Sequence, residues 1–99
     1  MDDTVSTREQ KVKVIIGSKP LINYVTACVT ILNSGSDKVI LRARGKAINN
    51  MVEVFLLLRN SFFKNIQIKG YNIDCEEIIF YDGKKVSLPV LELFLSTRD

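Results

Sequence analysis

Histidine and tryptophan are missing from this 99-residue chain, and cysteine and proline occur twice each. Without histidine, the commonest general base and the commonest metal ligand are gone. Cys28 and Cys75 stand far apart, outside any metal-ligand spacing, and each lies in an apolar stretch. That placement predicts small buried side chains rather than a metal site or a disulfide. There is no P-loop and no GxGxxG turn, and no pair of acids has the placement of acid–base partners. The chain is therefore not expected to be an enzyme, and no cofactor, metal or small-molecule substrate is expected. No apolar run approaches the ~20 residues that cross a bilayer, so no membrane association is expected. The opening "MDDTVSTREQ" lacks the basic-then-apolar order of a secretion signal. A cytoplasmic protein is expected, with a flexible tail over 1–10 and a single domain over 11–99.

Positive charge is what the body of the chain does have. The net charge is +3, but from Lys11 to Arg98 there are 13 basic against 7 acidic residues. An excess of this size suits an anionic partner, although many soluble domains match it, so clustering must decide.

The pattern of apolar residues predicts β-α-β-α-β-β. "VKVII" (12–16) is rich in β-branched residues and reads as a strand. Gly17 allows a tight exit, Ser18 is a candidate helix cap, and Pro20 suits a first helical turn. Leu21, Val25, Cys28, Val29 and Leu32 then recur at helical spacing, ending at Asn33-Ser34-Gly35. "KVILRARGK" (38–46) is a second strand, on which alternation puts Arg42 and Arg44 on one side and Gly45 brings Lys46 beside them. A second helix is expected from Ala47 to Phe62. Its apolar residues exceed the single stripe that a two-layer monomer buries, which points to a second chain against Phe55, Leu58 and Phe62. Two long strands follow, joined by Asp82-Gly83-Lys84-Lys85, with Pro89 hinting at an edge position or a bulge. The expected fold is a two-layer α+β sandwich: a four-stranded mixed sheet, both helices on one face, and a hairpin whose tip projects.

If the first two strands are parallel and adjacent, as a right-handed crossover implies, their ends share an edge. Lys19, Arg42, Arg44 and Lys46 then gather where both helices begin, and helix N-termini attract phosphate. The alternative is a set of solvated strand-end charges.

"IIGSKPLINYV" followed by "VILRARGKAINNMVEV" resembles the Alba family of archaeal chromatin proteins. The likeness spans Val12 to Leu95. It implies a homodimer or heterodimer that binds double-stranded DNA with little sequence preference, and often RNA, in association with the chromosome. By that resemblance Lys19, Tyr24, Arg42, Arg44 and Lys46 contact nucleic acid, Lys84 and Lys85 sit on hairpins that reach along the minor groove, and Phe62 lies where neighbouring dimers meet. The chain departs from the family at Ser18, which replaces a lysine known for acetylation, and in carrying Asp74, Glu76 and Glu77 on the hairpin. Those acids face either water or a basic partner, and the departures predict weaker DNA binding than a typical member or a role as the second paralogue in a mixed dimer. A second reading is an RNA-binding protein acting on structured RNA or within a ribonucleoprotein. Stacking-based single-strand binding is not expected, because no added aromatic platform is legible. A scaffold that binds only protein is the remaining alternative.

Overall fold

β-Branched residues open the fold and a cross-strand ladder closes it. The computed structural model describes residues 12–98, so the expected tail over 1–10 lies outside the described residues. The elements run β1 (Lys13–Ile15), α1 (Leu21–Asn33), β2 (Lys38–Arg44), α2 (Ala47–Ser61), β3 (Gln67–Ile79) and β4 (Lys85–Ser96). The sheet order is β1-β2-β4-β3, with β1 parallel to β2 and both β2–β4 and β3–β4 antiparallel. The expected mixed sheet and the parallel first pair are present, so β1 and β2 end at one edge.

Alternation sorts β2 between two faces. Val39, Leu41 and Ala43 enter the core with Leu93 and Leu95 of β4, while Arg42 and Arg44 stand on the other face opposite Glu92 and Val90. The helices cover the first face through Val25, Cys28 and Leu32 of α1 and through Met51, Val54, Phe55 and Leu58 of α2. Burying each large aliphatic of this set contributes about 1.5–3 kcal/mol.

Phe55 and Leu58, expected against a second chain, are buried inside the protomer. They share one helical stripe with Met51 and Val54, and Leu58 is wholly buried within the protomer. The exposed apolar residues of α2 are Val52, Leu56 and Leu57, and Phe62 just past its end is half exposed. Ser18 does not cap α1. The helix begins at Leu21 after an extended Pro20 and has no side-chain cap, because Ser18 lies too far upstream to reach its first free N–H groups. Cys28 is buried as expected, and burial pushes its thiol up to about 11. Cys75 is exposed, because edge strand β3 extends past the cover of the helices.

The hairpin overhangs the sheet. β2 stops where Arg44 pairs with Val90, whereas β3 and β4 continue pairing to Ile79 and Lys85. Five further residues of β4 carry the ribbon roughly 17 Å beyond β2. Pro89 lies just past the end of β2. Its carbonyl accepts the Gly45 N–H at 2.8 Å, so its missing donor points to a place where no strand continues. The irregularity of the hairpin falls elsewhere, between Ile68 and Gly70.

Candidate nucleic-acid interface

The turn after β1 is held from within. The buried Tyr24 hydroxyl accepts the N–H groups of Gly17 at 2.9 Å and Lys19 at 3.0 Å. A Cβ on Gly17 would stand 3.3 Å from that oxygen, which explains the glycine by close approach. Asn50 of α2 donates its side-chain N–H to the Gly17 carbonyl at 3.1 Å, tying the second helix to the same turn. Tyr24, expected to touch nucleic acid, is thus placed as an internal brace, with Lys19 and Ser18 exposed on the turn it braces.

Gly45 performs the second turn. Its φ of +56° is a left-handed conformation that a side chain would strain, and it starts α2 at once with Lys46 exposed at the N-cap. Neither helix carries an acid in its first turn. Both N-termini therefore present their partial positive charge uncompensated at the edge where β1 and β2 end.

These parts line an open hollow of about 610 Å³, bounded by the β1 end and its turn (Ile15 to Ser18), by Arg42 and Arg44, by Lys46 and Asn50, and by Glu76. Arg42, Arg44 and Lys46 are therefore brought together, with the braced turn on the opposite wall. Lys84 and Lys85 are not part of this group. They are exposed at the tip of the ribbon, which rises from the same edge. The tip is pinned by Phe80 N–H to the Lys84 carbonyl at 2.8 Å and Gly83 N–H to the Phe80 carbonyl at 2.9 Å.

Sequence reasoning missed Glu92 and left Glu76 as a hairpin acid of unassigned side, yet both lie inside the cationic group. Glu92, opposite Arg42 on β4, is buried and accepts from Lys13 at 3.0 Å and Arg42 at 2.9 Å. Hydrogen bonds from Lys13 and then Arg42 hold its carboxyl below the ordinary value of 4.5, against the desolvation that would raise it. Glu76 lies between Arg42, at 3.7 Å, and Arg44, with which it is in close contact. The only signal in the sequence was the strand register, which cannot be assigned before the pairing is known. Also missed were the exposed aromatics of the ribbon tip, Phe80 and a fully exposed Tyr81 beside the tip lysines.

Among the described residues, no group of three or more His, Cys, Asp or Glu is arranged to hold a metal. No described helix is long and apolar enough to cross a membrane.

Comparison with known proteins agrees with this geometry. The sequence profile of the Alba family matches residues 12–74. The chain is 35% identical over 82 residues to the DNA/RNA-binding protein Alba of Methanocella arvoryzae, covering 83% of this chain and 85% of that one. The solved structure of Alba from Thermoplasma volcanium superposes with a TM-score of 0.79 at 32% identity, over 85% of this chain and 98% of that one. ALBA1 from Trypanosoma brucei, at 19% identity, shares the fold with a TM-score of 0.71 over 91% of this chain and 72% of its own. With the family profile matching well over half of its length and 35% identity to a relative across most of both chains, the chain belongs to the Alba family.

Proposed function

We propose that this chain is a dimeric architectural protein that binds double-stranded DNA with little sequence preference, without catalytic activity, in association with the chromosome. The observation that carries the reading is convergence: Arg42, Arg44, Lys46 and both helix N-termini share one edge, and a lysine-tipped ribbon rises from it. Such a surface grips phosphates, while groove shape decides placement. Lys19 extends the edge, and Tyr24 keeps the turn that carries Lys19 in position. The name of the Methanocella relative supports binding to DNA or RNA.

A second protomer is supported by an exposed apolar band. Ile68, Tyr71 and Ile73 of β3 pair with Leu95, Leu93 and Leu91, so they lie on the helix-bearing face. They remain uncovered there, on the same side of the sheet as Val52 and Leu56 of α2. Phe62, half exposed past the end of α2, remains available for contacts between dimers.

Structured RNA is the second reading. Phe80 and Tyr81 at the ribbon tip favour it, because exposed rings beside lysines can stack on unpaired bases.

The deciding experiment is titration of the purified chain, its mass in solution known, with two unrelated duplexes at two salt concentrations. Neutralising roughly 6–10 phosphates predicts a fall in affinity of ~10³–10⁵-fold between 50 and 200 mM salt, equal for both duplexes. A flat salt response sinks the reading. Arg44→Ala should weaken binding to both duplexes alike and reduce the salt slope by about 1. Preference for a bulged RNA over a duplex of equal length would establish the second reading instead.

A further inference from the structure

Glu76 is the anomaly of the edge: a carboxylate in the wall of a hollow otherwise suited to phosphate. We infer that the Glu76 carboxylate occupies the seat of a nucleic-acid phosphate, and that binding displaces it from between Arg42 and Arg44. This rests on the nucleic-acid reading and adds to it the position of one phosphate and a built-in competitor for it.

Three observations carry the inference. Glu76 meets both arginines, Arg42 at 3.7 Å through one oxygen and Arg44 through the other, the bridging arrangement that a phosphate's oxygens also offer guanidinium groups. It sits on β3 opposite Leu88, in the overhanging ribbon, so its side chain comes over the hollow from a third strand rather than from the arginines' own. The two acids of the network also differ in kind. Glu92 is buried, has Lys13 as a second cation, and stays with Arg42. The Glu76 side chain is 39% exposed and reaches water by rotating away from the sheet. Arg44, 55% exposed, is then free to turn toward an incoming phosphate, while Arg42 keeps its anchor on Glu92.

The consequence is a threshold in affinity. Part of the attraction between phosphate and Arg44 is offset by loss of the internal pair, which for solvent-exposed charges amounts to a small factor. The test compares Glu76→Gln with Glu77→Gln, binding each full-length variant to one 20-base-pair duplex across a salt series. Glu77 has the same charge one residue on, but alternation puts it on the opposite face of β3, opposite Ser87. Both changes raise net charge by one, so general attraction cancels in the comparison. Glu76→Gln should tighten binding roughly threefold to fivefold more than Glu77→Gln and steepen the salt slope by up to about 1. Equal effects of the two variants would overturn the inference while leaving nucleic-acid binding intact. No binding by wild type or either variant would overturn both. Unchanged melting temperatures would exclude a difference in folding.

Discussion

Two regions of this protein carry cations, and they are built in opposite ways. At the edge of β1 and β2, every support comes from elsewhere in the fold: the Tyr24 hydroxyl and the Asn50 amide hold the turn, Glu92 anchors Arg42 and Lys13, and α2 rests on a closed core beneath. In the ribbon, the β3–β4 ladder beyond Leu88 pairs with no other strand, and Lys84 and Lys85 are exposed on a turn held by its own backbone. At the edge, Lys13, Arg42 and Arg44 are partly neutralised by Glu92 and Glu76; the ribbon presents its lysines outward on a narrow two-stranded arm. Charge carried on the sheet edge can be tuned by counter-charges, while charge on an arm is tuned by reach.

Leu58→Ala should cost about 2–5 kcal/mol by leaving a cavity under α2, seen as a large fall in denaturant midpoint. Tyr81→Ala at the ribbon tip should stay within about 0.5 kcal/mol, because nothing packs on a fully exposed ring. Equal costs would show that the ribbon is as integrated as the edge. Next comes the brace: Tyr24→Phe removes the acceptor of two backbone N–H groups and should cost roughly 1–2 kcal/mol, with weaker DNA binding through a loosened Lys19 turn.

A pH series sharpens the role of Glu92. Its carboxyl titrates lower in the folded protein than in the unfolded chain, so its stabilising effect is complete above the ordinary value of 4.5 and is lost as pH falls through the lowered folded value. Glu92→Gln should therefore be less stable than wild type at pH 7, and the gap should close under acid. A constant gap would mean that the carboxylate's charge is not what matters. The smallest effect on stability is expected from the double change Lys84→Ala and Lys85→Ala, within about 0.5 kcal/mol, although the salt slope of DNA binding should fall by about 2.

Much of the fold was legible because it depends on short-range periodicity. The helical recurrence of Val25, Cys28 and Leu32, the alternation around Arg42 and Arg44, and the DG turn placed every element to within a few residues. The second helix was misread in one respect. Its total apolar content was apparent, but which residues face inward depends on the rotation of the helix over the sheet, and that rotation put Phe55 and Leu58 inside and left Val52, Leu56 and Leu57 outside. The hairpin acids could be counted but not assigned a side, because Glu76 meets Arg44 only through a register set by the β3–β4 and β2–β4 ladders together.

The order of elements, the cationic residues and the lack of histidine follow from residue type and from spacing within a few positions. The bracing role of Tyr24, the place of Glu92 and Glu76 among the arginines, and the reach of the ribbon past the sheet arise only in the folded chain. Each of these joins residues more than four positions apart, across pairings whose register is settled by burial of the whole core rather than by any local segment.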